Sequence, residues 1–459
     1  MTIPSSTTLR LWDHAHLWHP FAPQTLENAQ DEPLIIDRAE GVYLFDDKGR
    51  KYLDGVSSLW CNVHGHRHPA LDAALLDQLQ KVAHSTLLGA THAPAIELAH
   101  ALVQLAPPGL DRVFFSDDGA TAVEVALKMA FQYWRQKPIP EPARTRFLSL
   151  TGAYHGDTLG DVSVGGVERF HAMFSPLLFP SIQIPSPHCY RCPLGLSRPS
   201  CNIACLGEVE RALVENSGRV AALIVEPLVQ GASGMIVHPE GYLKGLRDLT
   251  HKHNTLLIAD EVAVGFGRTG TLFASEQEGV TPDFLCLAKG ITGGYLPLAA
   301  TLTTNAIHSA FLGTPEKPNT FFHGHTYGGN PLGSAVALAN LRVFSQENTL
   351  ENLKPKIARL ADHLKLFASL AQVGDTRQRG FIAGIELVAE KSSKSPFPAS
   401  LQIAQKICRQ ARAQGLLIRP LADVLVVIPP LGISLEQLDW MMDLMLRCTR
   451  MITEDADLF

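Results

Sequence analysis

Two residues of this chain, Lys289 and Asp260, have the types and positions that Schiff-base chemistry requires. Each closes a short apolar run, at 284–288 and 256–259, which has the character of a buried strand. A lysine amine can form a Schiff base with the aldehyde of pyridoxal phosphate, and a carboxylate can keep the pyridine nitrogen protonated so that the ring accepts electrons. The pair therefore predicts a pyridoxal phosphate site at the ends of two strands.

Several other residues could complete such a site. Gly119 and Ala120 open a helix directly after a strand, where backbone N–H groups can bind a phosphate, although an ordinary capped turn has the same pattern. Tyr154 follows another strand and could stack on a cofactor ring or cap a core. Glu226 ends a further strand and adds a carboxylate to the same edge.

Three further segments carry polar residues between glycines or apolar runs. The glycines at 265–270 have the wrong spacing for a dinucleotide fingerprint, and a turn that positions Arg268 is the better interpretation. The loop 323–330 is lined by glycines and supplies the hydroxyl of Thr326, which suits a phosphate. Arg419 could bind a carboxylate through two hydrogen bonds or could be a surface arginine.

The elements that must position these residues alternate along the chain. Short apolar runs separated by helical stretches predict an α/β fold with a mainly parallel sheet covered on both faces, whose sites lie at the carboxyl ends of the strands. The predicted strands are 112–115, 146–150, 220–225, 256–259, 284–287 and 298–302. The segment 41–54 reads as a hairpin, and the tail reads as a second α+β unit.

Composition restricts the class of protein. The chain has 459 residues, of which 46% are hydrophobic and 18% are charged, and its formal net charge is −6. These values are typical of a globular protein and give no indication of a nucleic-acid or membrane partner. The first ten residues lack a secretory pattern and no apolar run is long enough to span a bilayer, so we expect a cytoplasmic protein.

Four of the eight cysteines, Cys189, Cys192, Cys201 and Cys205, form a local cluster. Two close cysteine pairs can supply four thiolates to a zinc ion. The alternative is a surface insertion, 185–205, with reduced thiols and no metal, and this is the prediction that we adopt.

The order of these motifs resembles the class III, fold-type I pyridoxal phosphate aminotransferases. The resemblance rests on 257–270, which contains Asp260, and on 282–290, which contains Lys289, and it covers nearly the whole chain. It implies a large domain with a mainly parallel seven-stranded sheet and a smaller α+β domain built from both termini. The expected boundaries are 1–69 for the N-terminal part of the small domain, 70–335 for the large domain, and 336–459 for the C-terminal part.

The resemblance also implies a role for each matched residue. Lys289 would bind pyridoxal 5'-phosphate and move the proton, Asp260 would pair with the pyridine nitrogen, and Tyr154 would stack on the ring. The remaining cofactor contacts would come from Gly119, Ala120 and Glu226 and, from the neighbouring subunit of a homodimer, from His325 and Thr326. The substrate site would be lined by Phe21, Leu59, Trp60, Tyr154, Gly324, Arg268 and Arg419, with Arg419 holding the carboxylate of a keto substrate.

Short segments narrow the resemblance to a branch of the family that acts in biotin biosynthesis. They include 18–21, 57–60, 91–97, 154–158, 230–235, 323–326 and 418–420. The implied reaction moves an amino group from S-adenosylmethionine to an amino-oxo acid. Phe21, Leu59 and His325 stand where this branch usually has Tyr, Trp and Pro. Because the first two would line the substrate pocket, lysine as donor, or another ω-aminotransferase reaction with pyruvate or 2-oxoglutarate, stays open.

Overall fold

A seven-stranded sheet forms the centre of the protein, whose computed structural model describes residues 4–21 and 33–454. The strands are β1 Ile36–Glu40, β2 Tyr43–Asp46, β3 Lys51–Asp54, β4 Leu110–Ser116, β5 Arg146–Leu150, β6 Ile182–Ile184, β7 Val220–Val225, β8 Val229–Gln230, β9 Ile236–Val237, β10 Leu256–Asp260, β11 Phe284–Leu287, β12 Ala299–Thr304, β13 Val373–Arg379, β14 Ile382–Leu387, β15 Leu416–Leu417, β16 Pro420–Leu421 and β17 Val424–Val427.

The helices are α1 Ser6–His16, α2 Ser57–Trp60, α3 Pro69–Leu79, α4 Ala93–Leu105, α5 Gly119–Gln136, α6 Leu159–Val164, α7 Glu168–His171, α8 Cys205–Glu215, α9 Tyr242–Lys252, α10 Asn305–Ser309, α11 Pro331–Gln346, α12 Thr349–Ala368, α13 Ile403–Ala413 and α14 Leu435–Thr453. Short 3₁₀ turns occur at Ala172–Leu177, Ala274–Glu278, Lys289–Thr292 and Ala399–Leu401. None of the helices within the described ranges has the length and apolar character needed to cross a lipid bilayer.

The large sheet has the strand order β4-β12-β11-β10-β7-β5-β6. The strands from β11 to β6 run parallel, whereas β12 is antiparallel to both of its neighbours. Every residue of β7, β10 and β11 is buried, as expected for strands with helices on both faces. Alternate residues serve the two faces: Leu223 packs with α8 and α9, and Ile224 packs with α5.

Residues from both ends of the chain meet in the smaller sheets. The hairpin β1–β2–β3 is extended by β15, which pairs in parallel with β3 through Leu416 and Leu53. A second four-stranded sheet has the order β13-β14-β17-β16, and α12, α13 and α14 pack with it in one apolar core. This arrangement brings the chain after β3, including α2, to the edge of the large sheet.

The fold predicted from the sequence is confirmed: the large sheet has seven mostly parallel strands and stands beside a smaller α+β unit. Strand β12 differs from the simple pattern because a short connection from β11 returns it in the antiparallel direction. The sequence patterns did not predict strands β6 and β13 or helix α12. Strand β6 has only three residues, and β13 carries polar side chains that hide its strand character.

Candidate active site

A cavity of about 740 Å³ lies where the carboxyl ends of β10 and β11 meet the start of α5. Its wall contains the following residues that the sequence singled out: Trp60, Gly119, Ala120, Tyr154, Glu226, Asp260 and Lys289. They come from segments far apart in the chain, and the parallel order of the sheet brings them to one edge.

Lys289 lies two residues after the end of β11 and begins a 3₁₀ turn. The backbone φ of Lys289 is 46°. This left-handed backbone is uncommon for a residue with a side chain. Its Nζ lies 5.3 Å from the centre of the Trp60 ring. Burial lowers the pKa of the lysine amine, while the charges of Asp260 and Glu226 act in the opposite direction. A lysine with a lowered pKa is more often in the neutral form that can accept a proton or attack a carbonyl.

Asp260 is the last residue of β10 and is buried. One carboxylate oxygen, Oδ2, lies 2.7 Å from His155 Nδ1, and the other, Oδ1, accepts the backbone N–H of Val262 at 3.1 Å. Two partners therefore fix the orientation of this carboxylate. His155 is a contact that the sequence analysis did not single out, although it adjoins Tyr154 in the chain.

The start of α5 supplies an anion-binding end to the cavity. Asp118 caps the helix by accepting the N–H of Thr121 at 2.9 Å, which leaves the first turn at Gly119 and Ala120 facing the cavity. A side chain at Gly119 would place its Cβ 2.5 Å from Val262 Cγ1. Glycine is therefore required for the close approach of α5 to the residues after β10.

Tyr154 and Glu226 are linked at the opposite wall. Glu226 accepts the N–H of Tyr154 at 3.1 Å through Oε1 and the N–H of Gly231 at 2.8 Å through Oε2. Burial raises the pKa of Glu226 to about 7, opposed by His155 and assisted by the charge of Asp260. The Tyr154 hydroxyl donates to Asp157 Oδ2 at 2.8 Å, so its ring is held at both ends.

A second cavity, of about 170 Å³, adjoins Lys289 and is mostly apolar. Its wall includes Phe21, Leu59, Trp60, Tyr154, Phe170 and Arg419. Phe21 packs edge-on against Phe170 with ring centres 5.4 Å apart. Arg419 has no hydrogen-bond or ion-pair partner among residues 4–21 and 33–454, so its guanidinium is available to an anion.

Arg268 has a different environment from the one expected for a substrate contact. It is buried, and it donates to the backbone carbonyls of Asn62 at 2.6 Å, Pro429 at 2.7 Å and Trp60 at 3.4 Å. Burial lowers the pKa of the guanidinium to about 10. The side chain thus fastens the segment around Trp60 to the chain after β17, and it lies outside the walls of both cavities.

Gly324, His325 and Thr326 lie in an exposed loop outside both cavities. His325 Nδ1 is 3.4 Å from Asp117 Oδ2, and Asp117 belongs to the wall of the large cavity. The loop therefore stands at the rim of the cavity without entering it. Two neighbouring aromatic residues of the same loop, Phe322 and Tyr327, are 85% and 61% exposed.

The functional groups in the wall of the large cavity fit pyridoxal phosphate. An amine, a buried carboxylate and a helix N-terminus surround one space, and these groups match the aldehyde, the pyridine nitrogen and the phosphate of the cofactor. The close approach at Gly119 shapes the end at which the phosphate would lie.

The cysteine segment lies apart from this site. Cys189, Cys192, Cys201 and Cys205 line a separate cavity of only about 20 Å³, and all four are free thiols. Burial raises the pKa of the Cys205 thiol to about 11. Across the described part of the chain, no three His, Cys, Asp or Glu side chains are arranged as a metal site.

Comparison with known proteins establishes the class. The family described as Aminotransferase class-III matches residues 25–449, and the chain belongs to that family. Membership implies pyridoxal phosphate as cofactor and small molecules as substrates.

Three relatives are especially informative. The adenosylmethionine-8-amino-7-oxononanoate aminotransferase of Nitratidesulfovibrio vulgaris is 56% identical over 94% of this chain and 79% of its own length. The crystal structure of the enzyme of that name from Methanocaldococcus jannaschii superposes with a TM-score of 0.91 at 40% identity, over 97% of this chain and 99% of that one. An ω-transaminase of Pseudomonas jessenii, crystallised in complex with PMP, has a TM-score of 0.92 at 31% identity, over 97% and 98% of the two chains.

Proposed function

We propose that this protein is a transaminase of biotin biosynthesis that transfers an amino group from S-adenosylmethionine to 8-amino-7-oxononanoate and yields 7,8-diaminononanoate. The observation that carries the proposal is the pair of adjacent cavities, which share Trp60, Tyr154 and Lys289 in their walls. The large one suits pyridoxal 5'-phosphate, and the smaller, more apolar one has Lys289 at one end and, in its wall, Arg419, whose guanidinium has no partner among the described residues. The relatives named for this reaction support the choice of substrates.

Several residues of the large cavity would each act on one part of the cofactor. When bound, pyridoxal phosphate supplies an electron sink for the carbon that carries the amino group. Asp260 would hold a proton at the pyridine nitrogen, and the contact of its Oδ2 with His155 Nδ1 at 2.7 Å keeps the carboxylate in place. The backbone of Gly119 and Ala120 would bind the phosphate, and Tyr154 would lie against the ring.

Lys289 would bind the cofactor through its aldehyde. It would then move a proton between two carbon atoms, the substrate carbon that carries the amino group and the former aldehyde carbon of the cofactor. Its lowered pKa favours the neutral amine that takes up a proton, and the nearby carboxylates of Asp260 and Glu226 stabilise the ammonium ion that results. The amine lies 5.3 Å from the centre of the Trp60 ring, which covers it on one side. Glu226 would orient Tyr154 through its backbone N–H.

The apolar cavity would bind the substrates in turn, since the reaction proceeds in two halves. Arg419 would hold the carboxylate of the keto acid, and Phe21, Leu59 and Trp60 would contact its aliphatic chain. Arg268 would contribute through the position of Trp60, whose carbonyl it binds.

We further propose a homodimer in the cytoplasm. The exposure of Phe322 and Tyr327 favours a partner surface at the loop 323–330, and Gly324, His325 and Thr326 would reach the cavity of the neighbouring subunit from it.

Donor and acceptor profiling of the purified holoenzyme tests the proposed reaction. We expect turnover of 8-amino-7-oxononanoate with S-adenosylmethionine and almost none with pyruvate or 2-oxoglutarate as acceptor. Turnover with lysine in place of S-adenosylmethionine would assign the lysine-dependent version of the reaction. Rapid amination of pyruvate would replace the proposal with a general ω-aminotransferase.

A further inference from the structure

The segment Ser57–Trp60 is a left-handed turn. Its four consecutive residues have φ values of 51°, 47°, 71° and 70°, a conformation that L-residues disfavour and seldom adopt in succession. None of the four is glycine, so the surrounding structure must hold this backbone in place.

Besides the backbone hydrogen bonds of the turn, from Trp60 N–H to Val56 and from Cys61 N–H to Ser57, one buried carboxylate, Asp54, holds its interior. Its Oδ1 accepts the N–H of Ser58 at 2.9 Å, and its Oδ2 accepts the Ser58 hydroxyl at 2.7 Å. His66 Nε2 lies 3.1 Å from the same Oδ2. Asp54 is 1% exposed, and these partners satisfy both of its oxygens.

Other parts of the chain limit where the turn can lie. The hydroxyl of Ser57 donates to the carbonyl of Ile428 at 2.6 Å, just after β17. Arg268 binds the carbonyls of Trp60 and Asn62. These contacts fix the two ends of the turn, whereas Asp54 contacts its interior at Ser58.

The turn determines where two side chains of the apolar cavity lie. Leu59 and Trp60 both form its wall, and the Trp60 ring lies 5.3 Å from Lys289 Nζ. A Cβ on Gly231 would come within 2.9 Å of the Trp60 ring, so this side chain fits tightly against its neighbour. A turn with ordinary right-handed φ values would direct Leu59 and Trp60 elsewhere.

We propose that Asp54 is a positioning residue of the substrate site: its carboxylate holds the left-handed turn Ser57–Trp60 and thereby places Leu59 and Trp60 beside Lys289. The proposal rests on the proposed function only in taking the apolar cavity as the substrate site. Asp54 itself touches neither cavity. Its removal should therefore change substrate affinity more than the rate of the chemical step.

The chain offers a matched control in Asp46, which lies in the same small sheet. Asp46 is 2% exposed and accepts the N–H groups of Lys48 at 3.0 Å and Arg50 at 2.8 Å, as well as Arg50 Nε at 2.7 Å. The Tyr52 hydroxyl donates to it as well, at 3.3 Å, so Asp46 has at least as many partners as Asp54 but none in the turn. Asp54→Ala and Asp46→Ala should both lower the melting temperature.

Two readouts separate positioning from stability. In the holoenzyme, we expect Asp54→Ala to raise KM for the keto acid about tenfold with kcat within about threefold. The second readout is alkylation of Cys61 by iodoacetamide, followed by mass spectrometry of its peptide. Because the Cys61 thiol contacts the carbonyl of Ser58 at 3.1 Å, loosening the turn should raise its alkylation rate about tenfold. Asp46→Ala should change neither readout.

Milder variants keep the test decisive if Asp54→Ala does not fold. Asp54→Asn retains an acceptor for the Ser58 N–H, so its KM and its Cys61 alkylation rate should stay within about threefold of the wild-type values. Ser58→Ala removes only the hydroxyl contact and should raise Cys61 alkylation about threefold. An unchanged rate in Ser58→Ala, or equal effects of Asp54→Ala and Asp46→Ala, would overturn the proposal. Cys61 alkylation needs no substrate. Its outcome therefore tests the positioning role of Asp54 even if the proposed reaction is wrong.

Discussion

The Lys289 cavity and the cysteine segment 185–205 both concentrate chemically active side chains, but they are assembled in different ways. The residues of the cavity come from the ends of several strands, and each ionisable group has a partner or a charged neighbour there. The cysteines come from one short stretch of chain and line a space of about 20 Å³. Convergence of distant residues is strong evidence for a site, whereas local spacing alone is weak evidence.

Electrostatics separates the two regions further. In the cavity, burial lowers the pKa of Lys289 and raises the pKa of Glu226. Both pKa values move towards neutral pH, where a group can readily take up and release a proton. In the cysteine segment, burial raises the pKa of Cys189 and Cys205. In the absence of a bound cation these thiols are therefore protonated and poor nucleophiles, since the thiolate is the form that attacks an electrophile.

The largest effect expected of any single change is that of Lys289→Ala. In the proposed mechanism the variant would lack both the amine that binds the cofactor and the group that moves the proton, so kcat should fall by at least about 10⁴-fold and the visible absorbance of the lysine-bound cofactor should be lost. Lys356→Ala is a matched control, since burial also lowers the pKa of Lys356 but its Nζ binds the carbonyl of Leu431 away from the cavity. Residual turnover near the wild-type rate would refute the role of Lys289 and weaken the contrast between the two regions.

Arg419 should show the next largest effect. Arg419→Met removes the guanidinium from the apolar cavity and should raise KM for the keto acid about 10- to 100-fold. Arg419→Lys keeps the charge without the planar pair of donors, so its KM should lie between those of wild type and Arg419→Met. Steady-state kinetics with varied keto acid measures both, and an unchanged KM in Arg419→Met would place the substrate carboxylate elsewhere.

The raised pKa of Glu226 predicts a pH dependence of stability. Its value of about 7 lies above the ordinary 4.5, so the folded state binds more protons than the unfolded state between these pH values. Stability from this group is therefore fully present below about pH 4.5 and is lost as the pH rises through about 7. We therefore compare the free energies of unfolding of Glu226→Gln and wild type by urea unfolding. As the pH rises from 4.5 to 8, the difference should shift in favour of Glu226→Gln by about 3 kcal/mol.

Glu261→Gln is the corresponding control outside the cavity. Burial also raises the pKa of Glu261 to about 7, but Glu261 binds the backbone of Ala274 and Ser275. It should show a similar pH trend without a change in cofactor affinity. A pH-independent difference between Glu226→Gln and wild type would show that Glu226 is ionised throughout.

The smallest effect is expected in the cysteine segment. Replacing Cys189, Cys192, Cys201 and Cys205 together by Ser should leave kcat/KM within about twofold, because none of them lines either cavity. Elemental analysis of the wild-type protein should find less than about 0.2 equivalents of zinc per chain. Stoichiometric zinc that disappears in the variant would reverse this prediction and make the segment a metal site.

Much of the site was predictable because its residues follow recognisable apolar strands. Lys289, Asp260 and Glu226 each come directly after such a run, and parallel strands carry their sites at that end. His155 was missed because no local signal distinguishes it from a histidine that caps a core. The environment of Arg268 was also beyond prediction, since its acceptors are carbonyls about 160 and 200 residues away in the chain.

The sequence by itself determined the fold class and the edge of the sheet at which the chemistry lies, because both depend on local patterns of apolar residues and on strand order. Only the tertiary structure decided which polar groups are paired. It placed His155 on Asp260, left Arg419 without a partner among residues 4–21 and 33–454, and held Ser57–Trp60 in a left-handed turn on Asp54. Such pairings depend on distances between residues remote in the chain, and packing of the whole molecule sets those distances.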